Sequence, residues 1–127
     1  HEGGSSALKT TADGKCLTVE VVDLLIAAQH PPLLKQLSGK RIEIIGQVLG
    51  PEAGGFRLLR LLVLCCAADA QPLAVRVEAR GQPKPTQMAW VKVTGKVTFT
   101  QKGKTCIPAV AAEKIITVPA PAEPFLF

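Results

Sequence analysis

Two adjacent cysteines followed by an aspartate, in Cys65-Cys66-Ala67-Ala68-Asp69-Ala70, are the residues of this chain best suited to chemistry. Thiolate and carboxylate both suit zinc, and thiolate also suits copper(I). Neighbouring residues of a strand point to opposite faces. Both sulfurs therefore reach one ion only where the chain bends. The pair closes a long apolar run, and a turn after it would supply that bend and return Asp69 toward the sulfurs. Three readings stay open. One is a metal or redox site at Cys65, Cys66 and Asp69, with His30, Cys16 or Cys106 adding ligands from afar. A second is two small buried hydrophobes with Asp69 closing a turn. The third is a disulfide joining Cys65 or Cys66 to Cys16 or Cys106. No C-x-x-C stretch and no paired Cys/His doublets mark a zinc finger.

Arg60 interrupts the same apolar run and shares its strand parity with Leu58, Leu62 and Cys66. A buried arginine needs a carboxylate or several carbonyls. Asp69 is one candidate partner and an anionic ligand another. A guanidinium beside Cys66 would also favour its thiolate. Trp90 opens the most regular strand pattern and reads as an anchor at the edge of the core. As a stacking platform it stands alone, because no second aromatic follows at spacing two. His30 precedes two prolines and reads as a cap or surface residue. Ser5, Ser6 and Ser38 are the only serines and none lies in a nucleophile elbow, so a serine triad has no support. No Walker A or G-x-G-x-x-G stretch is present.

The elements that must position these residues follow from periodicity. Residues 1–14 are rich in Gly, Ser, Thr and Lys and read as a flexible arm, leaving 15–127 as a single domain. A short helix is predicted over 19–28, with Thr18 as its N-cap and Val22, Leu25, Ile26 and Gln29 along one side. His30-Pro31-Pro32 ends it. A second helical turn runs to Leu37 and is closed by Gly39. From Lys40 the period becomes two. Ile42, Ile44, Gly46 and Val48 share a face. Phe56–Cys66 is apolar on both faces and reads as the most buried strand. Leu73–Ala79 alternates, and residues 80–87 form a loop. Val91, Val93, Gly95, Val97 and Phe99 then oppose Lys92, Thr94, Lys96 and Thr98. A last strand system covers Cys106–Val110 and Ile115–Val118, and the apolar tip Phe125–Phe127 could dock back. Five strand regions with mid-strand Gly46 and Gly95 predict a mostly β, small OB-like five-stranded barrel with an N-terminal helical segment.

The 127 residues carry a formal charge of +5. Lys84, Lys92, Lys96, Lys102 and Lys104 fall in one stretch without an acid, which gives either a solvated face or a surface for an acidic partner. With four Phe, one Trp and no Tyr, rings for stacking bases are few, so the nucleic-acid signal is not strong. No apolar run is long enough to span a membrane. The chain starts without a Met or signal peptide and reads as a piece of a longer protein.

Leu17-Thr-Val, Asp23-Leu-Leu, Gly39-Lys-Arg-Ile-Glu-Ile-Ile-Gly-Gln47, the Cys65–Ala70 string with Arg60 upstream, and Trp90-Val-Lys-Val-Thr-Gly95 together resemble a bacterial family of unknown function. They are similar to the C-terminal soluble domain of YcgQ-type permease-associated membrane proteins, from about residue 15 onward. Members carry transmembrane segments before this domain and are often encoded beside a YcgR-type permease. The resemblance implies a non-enzymatic accessory or binding module of an envelope transport system. Such a module is extracytoplasmic, anchored in the full-length protein or secreted, with a permease as partner and zinc or copper as the metal it could handle. Arg60, Cys65, Cys66, Asp69 and Trp90 match the family pattern. The alternatives are an oligonucleotide-binding barrel using the Lys92 and Lys96 face, and a thiol redox protein using Cys65 or Cys66.

Overall fold

Alternating burial along the strands sets the architecture of the computed structural model, which describes residues 9–63, 70–83, 85–122 and 124–126. Two two-residue strands, β1 (Lys9–Thr10) and β2 (Leu17–Thr18), precede helices α1 (Val21–Ala27) and α2 (Pro31–Leu37). Then come β3 (Arg41–Glu52), β4 (Gly55–Leu62), β5 (Gln71–Glu78), β6 (Trp90–Lys102), β7 (Thr105–Thr117) and β8 (Phe125–Leu126). The five long strands close in the ring β3–β6–β7–β5–β4, with β4 returning to β3. All contacts in the ring are antiparallel except β5–β7, which pairs only Arg76–Glu78 with Ala109–Ala111. This is the Greek-key order of an OB-like barrel.

The inward series are those that periodicity predicts. Ile42, Ile44 and Val48 of β3 meet Val91, Val93 and Val97 of β6 in one core with Phe56, Leu58, Val75, Val77 and Val110. Gly46 and Gly95 mark close approaches inside it. A Cβ on Gly46 would lie 2.7 Å from Leu58 Cγ, and one on Gly95 would run into the Ala111 carbonyl. Short inward contacts of this kind let a five-stranded ring coil tightly.

Several boundaries differ from the periodic reading. Lys9–Thr10 pairs with Leu17–Thr18, which in turn adds in parallel to β3, so part of the expected arm is ordered sheet. That pairing holds Thr18 extended, and the Val19 N–H donates to the Glu43 carbonyl at 3.1 Å. The first helix therefore starts later, with Glu20 rather than Thr18 at its N-cap, and the Asp23 carboxylate accepts the Glu20 N–H at 2.7 Å. Its buried face is Val21, Leu24 and Ala27, while Ile26 is 51% exposed. With apolar residues on every side but that of Asp23, the helical stripe did not identify its own inner side. Pro31 begins the second helix, and Gly39, at φ +75°, follows its end as expected.

β4 is not buried on both faces. A ring packs only its inner face, so Leu59 and Leu61 point outward and are half-buried. The last strand system is one strand, because the register shift opposite Thr94 and Gly95 leaves Glu113 as an extra residue and flips the alternation. The C-terminal tip does dock: Phe125–Leu126 adds in parallel to β4, and the Val63 N–H donates to the Leu126 carbonyl at 2.8 Å. No helix among the described residues is long and apolar enough to cross a membrane.

Candidate functional site

Arg60 follows Phe56 and Leu58 in the inward series of β4 and is 5% exposed. An acid and an aromatic ring are among the groups that meet its charge. Its Nη1 lies 3.2 Å from Glu20 Oε1, and its guanidinium carbon stands 5.4 Å from the centre of the Trp90 ring. The ion pair supplies a countercharge and the ring a negative π face. Burial pushes the Glu20 carboxyl above the usual carboxylate range, opposed by the attraction of Arg60. Asp23, in the same first helical turn, is also raised by burial. Arg60 and Trp90, singled out separately by their positions in the sequence, thus meet on one side chain.

Glu20 is the partner that sequence reasoning did not assign. The signal available was a Glu-x-x-Asp pair just ahead of an apolar helical stretch, which marks a reciprocal cap rather than a reach across to β4. Position 20 is forty residues from position 60, and only the closure of α1 against β4 and β5 brings them together.

Cys65, Cys66 and Asp69 lie outside the described residues. The strands on either side of them are described. Leu62 is paired with Gln71, so the connection 63–70 starts and ends on adjacent positions of a hairpin. The other proposed donors sit elsewhere. His30 is the exposed N-cap residue of the second helix. Cys16 is a buried free thiol beside Lys15, Arg41 and Lys114 on the outer side of β3. Its pKa is raised, chiefly by burial. Cys106 is a half-buried free thiol near Leu25 and Ala74. A disulfide drawing on Cys16 or Cys106 is therefore not formed. Among the described residues no three His, Cys, Asp or Glu side chains cluster as a metal site.

The lysine face carries interleaved acids. Lys92 Nζ lies 3.7 Å from Glu43, and Arg41, opposite Lys96, forms a two-point bond to Glu113 at 2.7 and 3.1 Å. That arrangement partly neutralises the surface on which an oligonucleotide backbone would have to lie. Lys84 is outside the described residues.

A family model for the DUF1980 C-terminal domain matches residues 29–127, and the chain belongs to that family, whose function is unknown. No curated protein matches the chain. The matched range contains Arg60, Cys65, Cys66, Asp69 and Trp90. It leaves out α1 and Glu20.

Proposed function

We propose that this DUF1980 C-terminal domain is a non-enzymatic binding module of a bacterial envelope transport system, acting on the extracytoplasmic side in the service of a membrane permease. In this reading Cys65, Cys66 and Asp69 hold a zinc or copper(I) ion. The observation that carries the metal part is the β4–β5 register. Because Leu62 faces Gln71, all three donors belong to one hairpin connection with anchored ends. Two thiolates and a carboxylate make three ligands, and zinc commonly takes four. An open fourth position suits an ion that is handed to a partner better than one locked in for structure. The likeness of the Cys-Cys-Ala-Ala-Asp-Ala string and the Trp90–Gly95 string to YcgQ-type proteins supports the permease partner.

The test is metal loading of reduced, untagged protein, first with zinc and then with copper(I), followed by chelator competition and elemental analysis. The expected result is about one ion per chain, lost in Cys65→Ser/Cys66→Ser and held more weakly in Asp69→Asn. Absence of uptake for both metals, or uptake that survives the double serine substitution, removes the metal part of the reading.

A further inference from the structure

The mouth of the barrel carries a second feature. The turn between β3 and β4 and the connection between β5 and β6 meet over Val48 and Phe56. They enclose a cavity of about 310 Å³, whose apolar lining includes Ala79, Pro51 and Pro85. Its walls are built before any ligand arrives. The Val48 N–H donates to the Ala89 carbonyl at 2.9 Å, and the Met88 N–H donates back to the Val48 carbonyl. The Ala79 N–H is held by the Gly54 carbonyl at 2.9 Å, and the Gly50 N–H by Gln87 Oε1 at 2.9 Å. Gly54 and Gly81, both at positive φ, bring bare backbone to the rim. Barrel mouths with preformed, mostly apolar walls and a few fixed polar groups are favoured ligand sites, and this volume is at the small end of their range.

The charges around the cavity select its occupant. Among the described residues no carboxylate lines it. Arg80 stands exposed at its edge and makes no ion pair among the described residues, whereas the neighbouring Arg76 is held by Glu52 at 2.9 Å and Glu78 at 3.4 Å. Gln87 uses its oxygen on Gly50, so its NH₂ is the end left to donate. We infer that the barrel mouth binds a small amphipathic anion, a medium-chain carboxylate, whose chain lies on Val48, Phe56 and Ala79 and whose head group pairs with Arg80. A guanidinium offers a carboxylate two parallel N–H donors. A cationic amphiphile of the same length meets only repulsion there.

The inference is independent of the metal reading, and its test uses the full chain. Octanoate is titrated into ¹⁵N-labelled protein beside 1-octanol and octylammonium. The expected result is saturable shifts at Gly50, Gly54, Gly81 and Gln87 with octanoate, weaker binding of octanol and none of octylammonium. Arg80→Gln should weaken octanoate by about tenfold, the worth of one charge-assisted contact, and Arg80→Lys should recover part of it. Ala79→Leu, which fills the floor, should abolish binding. The inference is overturned by octanoate shifts that do not saturate or that spread over Ile26, Ile107 and Ile116. It is equally overturned by octanol binding as tightly as octanoate, or by an Arg80→Gln protein that binds like the wild type.

Discussion

The Arg60–Glu20 contact makes an asymmetric demand on the fold, and replacing each partner separately exposes it. Arg60 is 5% exposed, whereas the Glu20 side chain is 48% exposed and can turn to water. At 3.2 Å the two charges attract by about 5 kcal/mol in an effective dielectric of roughly 20. Arg60→Met removes that attraction, and also a cation–π contact worth about 1 kcal/mol. It equally removes the burial of a guanidinium, a cost of several kcal/mol. A buried methionine then adds about 2 kcal/mol. These terms nearly cancel, so Arg60→Met should lie within about 1 kcal/mol of the wild type, a change in Tm of no more than about 5 °C. Glu20→Gln keeps an oxygen for Arg60 but withdraws this carboxylate's charge while the guanidinium stays inside. It should cost about 1–2 kcal/mol, between the worth of an exposed pair and the loss on breaking a buried one. Urea denaturation at neutral pH, with m-values compared, measures both. A companion signature lies in titration. Burial raises the Glu20 carboxyl and Arg60 opposes the rise, so Arg60→Met should move its midpoint higher still. A raised folded-state pKa gives stability that is full below the unfolded value and lost as pH rises through the folded one. The Arg60→Met protein should therefore gain on the wild type as pH falls toward the carboxylate range. The reasoning is refuted if the order reverses, with Arg60→Met losing more than about 3 kcal/mol and Glu20→Gln nothing. That result would place the essential countercharge of Arg60 somewhere other than on Glu20.

Gly95→Ala should cost about 3 kcal/mol or more by denaturant unfolding, because the new methyl meets the backbone of Ala111, which cannot move without breaking the β6–β7 ladder. Gly46→Ala, which meets the Leu58 side chain first, should cost about 1–2 kcal/mol; equal losses would contradict the distinction. The bond from Arg41 holds the exposed Glu113 carboxyl below the usual range, so its contribution is present above the unfolded pKa and lost as pH falls through the folded one. Arg41→Ala should return the Glu113 midpoint to the ordinary range in a carboxyl NMR titration, and an unmoved midpoint would show that this bond does not govern it.

The barrel was legible because each inner face is written as strict alternation. Ile42-Glu-Ile-Ile-Gly-Gln-Val48 and Val91-Lys-Val-Thr-Gly-Lys-Val97 can be read only one way when a single face is packed. The glycines that break the alternation on its own face pointed to tight coiling for the same reason. Where both faces were apolar the pattern lost its power. Phe56–Cys66 read as doubly buried, whereas its described part packs one face, and the stripe along α1 did not show which side faces in. Composition does not mark Lys9–Thr10 as strand, because it reports the cost of ordering a segment. It does not report whether a neighbouring strand edge, here β3, will template two residues. Of the site, Arg60 and Trp90 were legible as oddities within their strands. Their meeting was not, since it depends on both strands flanking β3.

The partnership of Glu20 with Arg60 bears on what counts as the unit of this fold. The family match begins at residue 29, after the first helix, yet the barrel residue Arg60 takes its countercharge from Glu20 before that boundary. The same helix places Val21, Leu24 and Ala27 in the barrel's own core. It packs against β5 beside the stretch where β5 and β7 pair over only three positions. A ring with so short a parallel seam needs something to cover the rest of the gap. Among the described residues between β5 and β6 there is no helix to do this. The cap comes from the segment ahead of the barrel. A chain that began at residue 29 would keep every barrel strand while losing the helix that packs on β5 and the Glu20 carboxylate beside Arg60 together. The folding unit is thus the barrel with its preceding helix, whose Glu20 meets the buried arginine of the strand that leads toward Cys65, Cys66 and Asp69 in the sequence.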